Sequence, residues 1–387
     1  MSVIRSALLP DRFCAPGTEP ALFLAVLGHT RTVSMTEQRR WLAIDTDAGV
    51  DDAVALCLAL RCASRCGFEL KLLTTTYGNV PLEHVNLNVC KCRRACGLSA
   101  HDVPVCVGAG YPLLGGAEVE ASFFHGQDGL GDAQDPVAVP PLTEAERAGP
   151  HALSDEAAVD ALLRLSAEAV AAPGAALHLV TLGPLTNLAL ALRKDPTLSQ
   201  RLGSVVVMGG CGNARGNASA TSEFNIRADP ESAEEVFAAL ARPGESKQIV
   251  SVVPWELTEG FPLPWHWFDA ALAPCSGGNT VRRFLAAVLR NSYGAGSGQR
   301  KGSGAVICDA LAVAVCLDRP SVVTAEQSLH CTVECAGVYT RGQTVCDWDD
   351  QVGGFAHKPP NVRWITAVDV TKYQRLLEMA LDVPSRL

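Results

Sequence analysis

Nowhere in the 387 residues is there an apolar run long enough to cross a bilayer. The stretch Ala21–Leu27 falls far short of the roughly 20 residues a membrane helix needs. A basic excess is missing too: 32 Lys and Arg face 41 Asp and Glu, for a formal net charge of −9. That balance excludes the broad basic face with which nucleic-acid binders displace counterions. Charge of either sign is scarce, at 19% against 48% apolar residues, so wholesale disorder is excluded and a sizeable core is expected. No Cys-x-x-Cys pair occurs among the 15 cysteines, which leaves a zinc ribbon unsupported. The cysteines are odd in number and unpatterned, and several (Cys57, Cys106, Cys316) lie inside apolar segments. They read as small buried thiols of a reducing compartment, and the chain is expected in the cytoplasm. Internal repeats and low-complexity tracts are absent. The first 34 residues mix Arg5, Arg12 and Arg31 with Asp11 and Glu19, which fits neither a signal peptide nor a transit peptide. Residues Met1–Ser34 are expected to be a poorly ordered extension ahead of Met35, with 35–387 forming a single domain.

What is present is an alternation of apolar runs and amphipathic stretches. Strands are expected at Trp41–Ile44, Leu70–Thr76, Val103–Val107, Ala176–Thr181, Val205–Met208, Gln248–Val253, Leu329–Glu334 and Val362–Ile365. Helices are expected at Asp51–Leu60, Leu82–Cys96, Asp155–Ala172, Leu185–Arg193, Pro230–Leu240, Val281–Tyr293, Val306–Leu317 and Lys372–Leu381. Gly108–Pro150 is rich in Gly and Pro and reads as loop. Such alternation predicts an α/β fold, a mostly parallel central sheet with helices on both faces. Ligands of such sheets bind beyond the carboxyl ends of the strands, which selects Asp45–Asp52, Tyr77–Asn79, Thr181–Gly183 and Met208–Asn217.

The densest chemical signal is Asp45-Thr46-Asp47-Ala48-Gly49-Val50-Asp51-Asp52, four carboxylates within eight residues at the end of an apolar strand. A solvated acidic loop is one reading, and acids favouring a helix N-terminus are another. Burial of so many like charges is costly without compensation, and a hard divalent cation is the economical remedy. Oxygen-only donors suit calcium or magnesium rather than zinc. An EF-hand is excluded, because counting from Asp45 its sixth place is Val50 and its twelfth Leu56. Haloacid-dehalogenase phosphotransferases expect Thr or Val where Gly49 stands, and a phosphate-cradling Gly-Lys motif is also lacking.

At these residues the sequence resembles the inosine–uridine-preferring nucleoside hydrolase family, whose signature Asp-x-Asp-x-Gly-x-Asp-Asp is matched in full by Asp45 to Asp52. The resemblance runs from about Trp41 to the C-terminus. It continues through Tyr77-Gly78-Asn79, His125-Gly126-Gln127-Asp128-Gly129-Leu130-Gly131, Leu182-Gly183-Pro184-Leu185-Thr186-Asn187, Met208-Gly209-Gly210 and Glu223-Phe224-Asn225-Ile226 with Asp229-Pro230. Six motifs in family order make coincidence improbable. The resemblance implies a Rossmann-like nucleoside hydrolase fold and calcium-dependent hydrolysis of the N-glycosidic bond of ribonucleosides, giving free base and ribose. It implies Asp47 as general base and calcium ligand, with Asp52, the backbone carbonyl of Leu182 and Asp309 completing the metal shell. Asp51, Asn79, Asn217, Glu223 and Asn225 would hold the ribose, with Met208 lining the pocket. A homo-oligomer, dimer or tetramer, is implied as well; neither nucleic acid nor membrane is an expected partner.

Taken singly, each of these residues has an ordinary structural reading. Asn79 suits a turn, Thr186 and Asn187 suit a helix start, and Asn217 suits a loop. The sequence also departs from the family at one place. Purine-active members carry His before the aspartate matched by Asp309, and here that residue is Cys308. A thiol, with an ordinary pKa near ~8.5, is an unusual proton donor to a leaving base. His125 and Tyr293 are the alternative acids, and Trp255, Trp265 and Trp267 are candidates to stack on a base. Two further readings stand beside catalysis: a calcium- and ribose-binding relative without turnover, and a metal-dependent phosphotransferase.

Overall fold

The computed structural model describes residues 39–383, apart from 100, 116–119, 136, 140, 145–153, 155, 243–247, 274–278, 296, 298, 299, 301 and 350–357. The expected extension Met1–Ser34 lies outside the described residues. An eight-stranded sheet organises the chain. Its strands β1 (Arg39–Thr46), β2 (Phe68–Thr75), β3 (Val105–Val107), β4 (Ala175–Thr181), β5 (Leu202–Met208) and β6 (Val250–Val253) stand in the order β3-β2-β1-β4-β5-β6. The Val362–Val368 strand pairs parallel to β6, and Val323–Leu329 closes the edge antiparallel to it.

Both faces of this sheet are covered, which explains why its central strands are apolar over most of their length rather than alternating. Successive residues of β1 serve opposite cores. Leu42 and Ile44 pack beneath the helices Val50–Cys62, Leu82–Ala95, Cys308–Leu317 and Val370–Leu381, whereas Trp41 and Ala43 pack beneath Ala158–Ala171, Thr186–Lys194 and Pro230–Ala239. The sheet order reverses between β1 and β4, and that crevice is where an open parallel sheet places its ligand. Among the described residues, no helix is long and apolar enough to cross a membrane.

Several elements differ from the sequence reading: the stretch Gly108–Pro150, expected as loop, holds the short helix Ser122–His125, and the strand expected over Leu329–Glu334 is divided between Val323–Leu329 and Cys331–Val333. Val323–Leu329 forms an edge strand although five of its seven residues are polar or small and exposed outward; only its end, Leu329, was expected as strand. The tryptophan region, where no helix was expected, forms the helices Trp255–Gly260 and Trp265–Leu272. Pro254 and Pro264 each precede the first helical residue, where a missing N–H costs nothing, so these prolines open helices. The stretch expected as one helix over Val281–Tyr293 is two, Thr280–Val288 and Arg290–Tyr293, divided at Leu289.

Candidate active site

Two helices start at the crevice. Gly49 caps Val50–Cys62, which carries Asp51 and Asp52 in its first turn; Cys308–Leu317 carries Asp309 in its own. The positive ends of both helix dipoles thus face the same three carboxylates. The chain enters the first helix through Ala48, which is fully buried with φ of 37°, a strained value for a residue with a side chain. Glycine is required beside it for reasons of space. A Cβ on Gly49 would stand 2.3 Å from His125 Nδ1, and one on Gly78 would stand 2.1 Å from Asp47 Oδ2.

Asp52 is held from three sides. The Thr46 hydroxyl donates to its Oδ1 at 2.5 Å, and the Gly49 amide and Asn79 Nδ2 donate to its Oδ2 at 2.8 and 3.0 Å. Asp47 accepts from the Asn79 amide through Oδ2 at 2.9 Å, while its Oδ1 is buried with no hydrogen-bond partner among the described residues. Asp51 Oδ1 is in the same condition. Behind them Asp45 Oδ1 accepts from Thr74 (2.5 Å) and Asn187 (2.8 Å), which ties β1 to β2 and to the helix after β4.

One ligand atom each from Asp51, Asp52 and Asp309 lies within 4.8 Å of the others, and all three residues are buried. The sequence placed Asp47 in that set and Asp51 on the ribose; the geometry puts Asp51 in the tight group, with Asp47 beside Asp52. Burial raises every one of these acids. Asp51 is pushed up to about 7 by burial and then by the Asp52 charge. Asp309 goes well above the carboxylate range by burial and by Asp51 and Asp52. Asp47 follows by burial and the Asp52 charge. Such a group holds its charge only with a cation among it. The two unpartnered oxygens and the all-oxygen donor set therefore fit a hard divalent ion.

Above the carboxylates opens a cavity of about 430 Å³. Every residue expected to hold substrate lines it: Asp51, Asn79, Met208, Asn217, Glu223 and Asn225, together with Leu182, His125, Cys308 and Asp309. Their side chains also hold one another. Asn225 Nδ2 donates to the carbonyls of Leu182 (2.6 Å) and Met208 (3.1 Å), so the Leu182 carbonyl expected to bind metal is oriented by an amide. Glu223 caps the Phe224–Ala228 helix by accepting the amides of Asn225 and Ile226, and it accepts Gly210 N–H as well. Burial pushes it up to about 7. Asn217 Oδ1 accepts the Phe224 amide, which leaves its Nδ2 for a ligand.

The far wall is aromatic, with Phe123, Phe124, Trp255, Trp265 and Tyr293. Trp267 is elsewhere; its indole donates to Glu378. Of the three candidate acids, the Tyr293 hydroxyl donates to the Val306 carbonyl at 2.7 Å. The Val50 amide donates to His125 Nδ1 at 3.1 Å, so the ring proton sits on Nε2. Burial pushes His125 down to about 3, which keeps it neutral 3.9 Å from Asp51. Cys308 donates its thiol to Thr258 Oγ1 at 3.4 Å, and burial with the Asp51 charge raises it well above an ordinary thiol. Sequence reasoning missed Thr258, Glu259 and the two phenylalanines. Only Phe124, adjacent to His125, stood near a recognisable motif.

Residues 42–375 match the family model described as inosine-uridine preferring nucleoside hydrolase. A probable uridine nucleosidase 2 from Oryza sativa subsp. japonica is 37% identical over 207 residues, 53% of this chain and 55% of that protein. The chain thus spans about half the length of the plant relatives it matches. An inosine-uridine preferring nucleoside hydrolase from Leishmania major is 32% identical over 352 residues, covering 89% of this chain and 98% of the relative. Among solved structures, an inosine-guanosine nucleoside hydrolase superposes with a TM-score of 0.74 at 29% identity, covering 89% of this chain and 99% of the other.

Proposed function

The chain belongs to the inosine–uridine-preferring nucleoside hydrolase family, and on that premise we propose that it hydrolyses the N-glycosidic bond of ribonucleosides to free base and ribose, with calcium as cofactor. The observation that carries this reading is the convergence of buried Asp51, Asp52 and Asp309, two of which, Asp51 and Asp309, line a nucleoside-sized cavity. Asp52, Asp309, Asp47 and the Leu182 carbonyl are proposed to hold the ion, with Asp51 close enough to share it. Bound there, calcium would offset the carboxylate charge and lower the pKa of a water on it.

The remaining chemistry falls to the chain's own side chains. Asp47 Oδ1 is the base: buried, unpartnered, and fixed through its other oxygen by the Asn79 amide. The C1′–N bond breaks with positive charge building on the sugar, as in glycoside hydrolysis generally, and the surrounding carboxylates stabilise that charge. Water's hydroxyl goes to C1′ and a proton to the departing base. Asn79, Asn217, Glu223 and Asn225 orient the ribose hydroxyls, which holds C1′ in attack geometry. His125 offers an Nε2–H as a neutral donor to substrate. All described cysteines are free thiols, which suits the cytoplasmic setting proposed for this chain. A dimer or tetramer is proposed on family grounds.

The test is ribose release from a nucleoside panel headed by uridine and inosine, assayed with calcium and after chelation. Turnover is expected with calcium and loss of turnover without it, restored on adding the ion. Chelation should also lower the melting temperature, because the ion binds only the folded chain. Calcium binding with no release from any nucleoside would favour the non-catalytic relative. Phosphate release from a nucleotide, with nucleosides untouched, would overturn the reaction class.

A further inference from the structure

At the opposite ends of the strands lies a second cavity of about 640 Å³, larger than the first. It opens between the start of the sheet and the last turns of the helices Cys308–Leu317 and Val370–Leu381. The Cys308–Leu317 helix carries Asp309 at its other end, so about 15 Å of helix separates the two cavities.

The sheet face that lines this cavity is the one that carries Leu42 and Ile44 and is otherwise apolar. Here it bears polar side chains at paired positions: His178 opposite Ser204, and Ser251 opposite Arg363. Polar residues facing inward on a parallel sheet are costly unless they are used. Arg40, Arg65 and Arg319 join Arg363 around the same space, against the single acid Asp318. Three of these four arginines are engaged. Arg40 donates to the Cys66 carbonyl, Arg65 to the Met379 carbonyl, and Arg319 to Ser251 and Glu326. Arg363 makes no hydrogen bond or ion pair among the described residues, and its buried Nε has no partner. His178 Nε2 is buried and unpartnered as well. Burial and the nearby Arg363 charge push Arg319 down to about 10, so the two cations strain against each other.

We propose that this cavity is a second ligand site, built to bind the phosphate group of a phosphorylated small molecule. Planar guanidinium forks match phosphate oxygens two at a time, and four of them line this cavity with the Ser251 hydroxyl and the His178 imidazole, the Arg363 fork and His178 Nε2 being without partners among the described residues. Phe68, Leu376 and Met379 supply an apolar wall for the body that carries the phosphate. The cavity's volume is that of a nucleotide-sized ligand rather than of a bare ion.

The experiment is calorimetric titration of the full, calcium-loaded chain in phosphate-free buffer at constant ionic strength, with inorganic phosphate and separately with uridine 5′-monophosphate. Saturable binding of at least one is expected. Arg363→Gln and Arg319→Gln should each weaken it by about tenfold or more. Both positions are remote from the nucleoside cavity, so this loss separates the site from phosphate held at the calcium. Arg363→Gln should also melt no lower than the parent without phosphate, because it removes an unpartnered charge. If that variant does not fold, Arg363→Lys keeps the charge, loses the fork, and should bind several-fold more weakly. Phosphate binding alone identifies an inorganic source, and nucleotide binding alone identifies a ligand whose body is read too. No binding of either at millimolar concentration, or binding unchanged in both glutamine variants, overturns the proposal. Nucleoside turnover enters none of these readouts.

Discussion

The two ends of the central sheet carry opposite charge. At the carboxyl ends of the strands, Asp45, Asp47, Asp51, Asp52, Glu223 and Asp309 are buried together, and each is raised toward its neutral form by that burial. At the amino ends, Arg40, Arg65, Arg319 and Arg363 surround a cavity with one acid among them. Each end concentrates one sign of charge where a folded chain by itself would avoid doing so. The two differ in support. Asp52 accepts three hydrogen bonds within 3.0 Å, whereas Arg363 donates none among the described residues. A heavily braced group implies a fixed geometry for chemistry, and a loosely braced one implies a receptor that its ligand completes.

The largest effect is expected at the acidic end, on the carboxylate that is fixed through one oxygen and leaves the other unpartnered. Asp47→Asn keeps an oxygen for the Asn79 amide and removes the proton acceptor, so turnover should fall by about 10³-fold or more. Asp47→Ala should likewise abolish activity with the fold intact. Steady-state rates and melting curves on the same samples check both, and undiminished turnover in either variant would remove Asp47 from the mechanism.

Charge clustering also decides how much of each end was legible. The acidic end announced itself because four carboxylates fall within eight residues, and the ligand rule for parallel sheets placed them correctly. Cys308 and Asp309 were legible only through motif order, since an apolar helix gives no sign of what its first turn faces. Thr258 was invisible for a similar reason: no helix was expected around Pro254, and the helix that carries Thr258 starts directly after that proline. The basic end was not legible at all. Its arginines come from four distant segments, each with an ordinary surface reading, and only the fold brings them together. In the same way the Val323–Leu329 edge strand, exposed along most of its length, lacks the apolar run by which its buried neighbours were found.

A smaller effect is expected at Cys308. A general acid is worth about 10²–10⁴-fold, whereas a wall residue with one weak hydrogen bond is worth far less. The thiol points its proton at Thr258 Oγ1, 3.4 Å away, so Cys308→Ala should lower turnover of uridine by less than about tenfold. A loss of about 100-fold or more, with the Michaelis constant unmoved, would instead make the thiol the leaving-group acid.

The smallest effect belongs to the basic end and concerns stability. His178 touches the Ser204 hydroxyl through Nδ1 at 2.7 Å, meets the Phe68 ring edge-on, and faces the cavity that holds Arg40, Arg319 and Arg363. Burial, and after it the Arg40 charge, push His178 down to about 4. Its folded pKa therefore lies below the ordinary value of 6.5, and between those two pH values the unfolded chain binds more protons than the folded one. Stability from this residue is fully present above the ordinary value and is lost as pH falls toward about 4. His178→Asn keeps a polar atom for Ser204 and cannot titrate. Across that window, in phosphate-free buffer, its melting temperature should fall less steeply than the parent's, by about 1–2 °C per pH unit. Phosphate in the cavity would stabilise an imidazolium there and flatten the parent's curve toward the variant's. Identical slopes in the two proteins, with and without phosphate, would show that His178 does not sense the charge of the basic end.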